Sequence, residues 1–113
     1  LIVKSTGVNS GLKLYIIQNT DRKLPLEDIA KSKGKEMMDL IKEMEAIIYS
    51  GTKLNIDYAL DDLLDEDQQD EIHEYFMEAE SDSIQEALDE FDGDYDEDEL
   101  RLMRIKFINE VGN

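Results

Sequence analysis

The chain has 113 residues, no cysteine, no tryptophan and a formal net charge of −17. That length suits one domain with one core, and the missing cysteine excludes a disulfide framework, a thiolate metal site and a thiol nucleophile, as suits a cytosolic setting. The longest apolar runs are too short to span a bilayer and no charged-then-apolar leader opens the chain, so a soluble, cytoplasmic protein with no membrane partner is expected. The abrupt start at Leu1 rather than Met reads as a piece cut from a longer protein.

The charge is unevenly spread. Residues 1–53 hold nine Lys/Arg against seven Asp/Glu, whereas residues 54–113 hold three against twenty-two. An acidic surface repels a phosphate backbone and attracts basic partners, so any nucleic-acid contact is expected from the first half.

In chain order, residues 1–9, "LIVKSTGVN", read as a linker from upstream domains. Ser10 is a plausible N-cap; "GLKLYIIQ" then places Leu12, Tyr15 and Ile16 on one helical face, and Asn19-Thr20-Asp21 gives a turn-prone stop. Pro25 fits a first helical turn, Glu27 and Asp28 follow at the positive end of a helix dipole, and Leu26, Ile29 and Ala30 form the inner face. Gly34 should end this short helix because it accepts positive φ without cost. A third helix is expected to start at once, with Met37, Leu40, Ile41, Met44, Ile47 and Ile48 recurring at three and four, closed by Gly51. In "TKLNIDY", residues 52–58, the period changes to two, with Leu54, Ile56 and Tyr58 on one side; this predicts a short strand, whose partner would be "LIVK". "ALDDLL" adds a helical turn.

From Asp65 the pattern predicts three acidic helices. The first buries Ile72, Tyr75, Phe76 and Ala79, and the second opens with Ser83 and Glu86 as a capping box and buries Ile84, Ala87, Leu88 and Phe91. The last opens with Asp96 and Glu99 as a second box, with Tyr95 and Leu100 spaced as a hydrophobic staple, and runs to Gly112. Leu100, Leu102, Met103, Ile105, Phe107, Ile108 and Val111 cover most of its circumference, so it should lie centrally and tie the acidic half to the basic half.

"LEDIAKSKGKEMMDLI", residues 26–41, meets the needs of a helix-turn-helix: a short helix, a turn at Gly34, a longer helix, and a small Ala30 four residues before the glycine where the helices cross. Any tri-helical core contains such a turn, so packing alone is the competing explanation. In a DNA reader the second helix lies in the major groove with its outward side chains at base edges. Here those positions are Lys35, Glu36, Asp39, Lys42, Glu43 and Met38, a mixture that argues against strong sequence-specific reading. Arg22, Lys23, Lys31, Lys33, Lys35 and Lys53, with Lys42, are instead candidates for binding phosphates without reading sequence, the competing reading being a solvated lysine face.

"DEFDGDYDEDE", residues 89–99, approaches a calcium loop, but with Gly93 in sixth place the first ligand position falls on Leu88, so a solvated acidic turn is expected. His73 is the one histidine, the neighbouring Glu71 and Glu74 do not share its face at metal spacing, and no nucleophile or phosphate loop is recognisable. No catalytic residue, metal or cofactor is therefore assigned.

Over "SGLKLYIIQNTDRKLPLEDIAKSKGKEMMDLIKEMEAIIYSGTKLNIDYAL" the sequence resembles the helix-turn-helix domain at the far C-terminus of RecQ-family DNA helicases, in the version typical of Bacteroidetes-like bacteria, and "DELRLMRIKFINEVGN" is similar to their closing helix. By position, Ile29, Ala30, Gly34 and Leu40 match the helix-turn-helix framework, and Gly51, Leu54 and Ile56 match the strand that follows. Lys35 departs from the pattern, which has an apolar residue after the glycine. The resemblance implies a parent enzyme that unwinds DNA with 3′ to 5′ polarity, using ATP, in recombination and repair, with motor, zinc-binding and winged-helix regions preceding this segment.

The expected fold is mainly α: a helix-turn-helix, winged-helix-like three-helix core with one or two short strands over residues 10–60, and an acidic three-helix extension over 61–113 packed on it as one compact domain. The expected function is a non-catalytic accessory module of a RecQ-like helicase, nucleoid-associated through its parent, with weak contact to DNA backbone. The alternative is a docking module whose acidic helices bind upstream helicase domains or repair proteins. The oligomeric state is not legible.

Overall fold

The computed structural model describes residues 10–112. The first helix, α1, spans Ser10–Asp21 and so runs through the expected stop at Asn19-Thr20-Asp21. The cause is local: Thr20 Oγ1 donates to the carbonyls of Ile16 (2.9 Å) and Ile17 (3.0 Å), and Asn19 Nδ2 donates to the Tyr15 carbonyl at 2.8 Å. Both side chains are buried beside Ile16 with their polar atoms satisfied by their own helix, so they extend it instead of breaking it. Helix α2 covers Leu26–Ser32, with Pro25 at its N-cap and Leu26, Ile29 and Ala30 buried as the sequence predicts. Helix α3 covers Met37–Tyr49 and buries Leu40, Ile41, Met44, Ile47 and Ile48. These three helices pack pairwise on one another.

All three end in the same way. The N–H two residues past the C-cap reaches five residues back and the N–H before it reaches three back: Leu24 to Asn19 and Lys23 to Thr20, Lys35 to Ala30 and Gly34 to Lys31, Thr52 to Ile47 and Gly51 to Ile48. This is the Schellman arrangement, which pairs carbonyls that the helix would otherwise leave open. It requires a left-handed residue, supplied by Gly34 at φ +66°, by Gly51 at φ +100° and, without the help of glycine, by Lys23 at φ +62°.

Residues 52–56 are extended, with Leu54 and Ile56 buried between exposed or half-buried neighbours, but no strand forms among the described residues. The expected strand and the winged-helix-like element are thus corrected. Alternating burial needs only an extended segment laid against a core, whereas a strand also needs a hydrogen-bonded partner. The proposed partner, "LIVK", lies outside the described residues, as does the linker 1–9.

The chain divides into two compact units, Leu1–Ile56 and Asp57–Asn113. The second opens with α4, Asp57–Leu63, longer than the single turn read from "ALDDLL" and already begun at Tyr58, the last expected strand position. Then come α5 (Glu66–Glu78), α6 (Ile84–Phe91) and α7 (Glu97–Val111). Helix α7 packs against α4, α5 and α6, central within its unit. Its buried residues are Leu100, Leu102, Met103 and Ile105, whereas Val111 in its last turn is exposed. Aromatic rings join the helices: Phe76 stacks on Phe107 at 5.6 Å, and Tyr75, Phe91 and Tyr95 continue edge-to-face at 5.4 Å and 5.1 Å.

Capping is strong in this unit. Asp65 with Gln68 and Asp96 with Glu99 form reciprocal boxes, both arms between 2.8 Å and 3.0 Å. Ser83 caps α6 by accepting from Glu86 N–H at 3.2 Å, but the expected return arm is absent, since the Glu86 carboxylate accepts from Ser81 Oγ instead. No described helix is long and apolar enough to cross a membrane.

Candidate nucleic-acid interface

Within the first unit, α2 and α3 form the helix-turn-helix over a four-residue connection, residues 33–36. Ile29, Ala30 and Leu40 are buried as the framework requires. The Ala30 carbonyl accepts from both Lys33 N–H (3.1 Å) and Lys35 N–H (2.9 Å), closing the turn. Lys35 after the glycine does not loosen it. Lys35 is half-buried, and its ammonium lies 3.8 Å from Glu43 Oε2.

The seven basic candidates do not form one patch. Lys31, Lys33 and Lys35 are gathered at the C-terminal end of α2. Arg22 and Lys23 lie in the turn before α2, and Lys53 follows α3, about 20 Å of helix away from Lys35. Lys42 is exposed on α3, in a row with exposed Glu36 and Asp39 and half-buried Glu43. The α3 face thus carries acids where a sequence reader carries donors, while at the end of α2 Lys31 and Lys33 are exposed and Lys35 is half-buried.

Tyr15 was not legible as part of this site. It reads from the sequence as an inner-face residue of α1, yet it is only partly buried. Its hydroxyl pairs with Ser32 Oγ, and Lys33 Nζ lies 4.3 Å from its ring centroid. Its place at the edge of the α1 apolar stripe, beside exposed Leu14, is a signal too common to single it out.

In the second unit Arg101, Arg104 and Lys106 all have partners within the unit, Arg104 Nη1 donating to the Asp82 carbonyl at 2.8 Å. Lys106 is engaged with Gln69 Oε1 at 3.0 Å and lies 4.0 Å from Asp57, while Gln69 also donates to Asp61 and to the Leu64 carbonyl, so the buried amide is satisfied on both sides. Arg101 pairs with Glu97 at 2.8 Å. Burial, then the neighbouring Asp96 and Glu97 charges, raise the Asp98 carboxyl above its ordinary range. Tyr95 donates to Glu71 at 2.6 Å, and burial, this bond and the adjacent carboxylates push its hydroxyl up as well. His73 lies 3.6 Å from Glu110 and edge-on to Phe107. In the segment resembling a calcium loop, Asp92 and Gly93 turn left-handed and Asp96 is already the cap of α7. Among the described residues no three His, Asp or Glu side chains are grouped to hold a metal ion.

No curated protein matches the chain. Residues 10–60 match the family model of the RecQ-1-like, helix-turn-helix domain. That match spans α1 to α3, the extended segment and the first turn of α4, and it makes this part of the chain similar to a RecQ-family helix-turn-helix domain.

Proposed function

We propose that this chain is the non-catalytic C-terminal accessory part of a bacterial RecQ-like helicase, a 3′-to-5′ ATP-dependent enzyme of DNA recombination and repair, nucleoid-associated through its parent. Its first unit makes weak, sequence-independent contact with DNA backbone through Lys31, Lys33 and Lys35, supported by Arg22, Lys23, Lys42 and Lys53. The observation that carries this reading is the match of residues 10–60 to the RecQ-1-like helix-turn-helix model. The exposed cations at the helix ends support phosphate contact, and the mixed charge of α3 supports its indifference to sequence. The excess of acids after residue 54 keeps the affinity low by repulsion.

A second reading is favoured by that same excess, three Lys/Arg against twenty-two Asp/Glu. In it, the acidic helices dock a basic surface of the helicase or of a repair partner, and DNA is not touched. Fluorescence anisotropy of labelled forked and single-stranded DNA, titrated at low and near-physiological salt, separates the two. Binding that weakens steeply with salt and is lost on replacing Lys31, Lys33 and Lys35 by Gln supports the first. Absence of binding at low salt, with capture of the upstream helicase fragment that is lost when the acids are neutralised, supports the second.

A further inference from the structure

We infer that Tyr15 and Lys33 form a stacking platform for an unpaired base, so that the first unit prefers single-stranded DNA to duplex; this rests on the DNA-contact reading above. Three observations converge on it. The first is orientation: the single Ser32 hydroxyl proton is given to the Ile29 carbonyl at 2.9 Å, so in the Tyr15–Ser32 pair the tyrosine donates and the ring is tethered at its far end. A ring held by both its backbone and its hydroxyl loses little freedom when a ligand settles on it.

The second is access. Lys33 is exposed and Tyr15 half-buried, and the Lys33 ammonium lies 4.3 Å from the centroid of the ring, so a mobile side chain and not the core covers that face. A lysine over a half-exposed ring is a weak and mobile cover; a stacked base makes a larger contact and displaces it. The third is charge. Lys31, Lys33 and Lys35 surround the same end of α2, so the displaced ammonium and its neighbours meet the phosphates flanking the stacked base. An aromatic face within a cluster of cations is the pairing through which single strands are held without regard to sequence. In a duplex the base faces are stacked on one another, and the same ring has nothing to receive.

The test compares two labelled oligonucleotides of equal length and phosphate number, one of thymidines and one abasic, titrated by anisotropy with the full chain at low salt. The expected result is about tenfold tighter binding of the thymidine strand. Tyr15→Leu, which keeps apolar bulk on α1 but offers no ring, should erase that difference, while Tyr15→Phe, which keeps the ring and loses only its tether, retains most of it. Lys33→Gln should weaken both strands. Equal affinity of the unaltered chain for the two strands overturns the inference and leaves the phosphate contact standing. A thymidine preference that survives Tyr15→Leu overturns it too. Failure to bind either strand overturns both readings, and the comparison on the unaltered chain decides the matter even where a substitution disturbs folding.

Discussion

At Lys23 stability and charge pull in opposite directions, so replacing it with glycine should strengthen the fold while weakening DNA contact. Lys23 holds the left-handed position of the α1 cap at φ +62°, a place filled by glycine at the ends of α2 and α3. A left-handed L-residue costs about 1–2 kcal/mol. Glycine removes that cost but returns part of it, about 0.4–1 kcal/mol, through the greater freedom of its unfolded chain. The net expectation for Lys23→Gly is a gain of about 0.5–1 kcal/mol, read as a higher urea midpoint by circular dichroism with an unchanged slope. The reverse substitutions calibrate the arithmetic. A Cβ at Gly34 or Gly51 would meet nothing within 4 Å, so Gly→Ala at either position carries only the backbone penalty and should lose a similar amount. In anisotropy titrations, Lys23→Gly should lower the salt dependence of duplex binding by about one phosphate contact, a change of about 0.9 in the log–log slope. An unchanged or lower midpoint for Lys23→Gly, or a neutral Gly34→Ala, would refute the reasoning, because the left-handed backbone would then not be the cost it is taken to be.

The caps of the second unit make a graded series. Asp96→Ala should cost about 1 kcal/mol by removing one arm of a complete box, and Ser83→Ala a comparable amount, whereas Glu86→Ala should change thermal stability little, because its side chain holds Ser81 and not the N-cap N–H. At alkaline pH the sign is set by Tyr58, whose hydroxyl burial pushes up from 10.0 to about 12. The unfolded chain ionises first, so stability holds below pH 10.0 and is lost as pH rises towards about 12. Urea midpoints measured across that range should fall less steeply for Tyr58→Phe, and an identical slope in the two proteins would contradict the assignment.

The helices were legible where apolar spacing and punctuation agree. Leu40, Ile41, Met44, Ile47 and Ile48 recur at helical intervals, and Gly51 follows them, so both the face and the end of α3 are written locally. The same holds for Ser83, Asp96 and their buried partners Ile84 and Leu100. What failed depends on where a side chain finds its hydrogen bond. Asn19 and Thr20 stop helices when they bond forward to a turn, but here they bond back into α1. Glu86 completes a box only if no nearer donor competes, and Ser81 does. Leu54 and Ile56 alternate like a strand, yet alternation reports which side chains are buried and not whether the backbone has a partner.

The candidate site was legible as composition and not as arrangement. Lysines at 31, 33 and 35 stay together because a turn keeps neighbours in sequence neighbours in space, whereas Lys53 leaves them because α3 intervenes. Tyr15 joins them from α1 only through tertiary packing, by way of Ser32 and Lys33, and no local pattern encodes that meeting. This difference bears on what kind of contact the unit is suited to make. Exposed acids at Glu36 and Asp39 flank the outward side of α3, so a groove-inserted helix would bring carboxylates to phosphate and to acceptor-rich base edges. A ligand approaching the end of α2 meets three cations and a tethered ring instead. On the proposed reading, the helix-turn-helix frame would serve to place the end of α2 beside α1, with its second helix as the support of that site and not as a reading head.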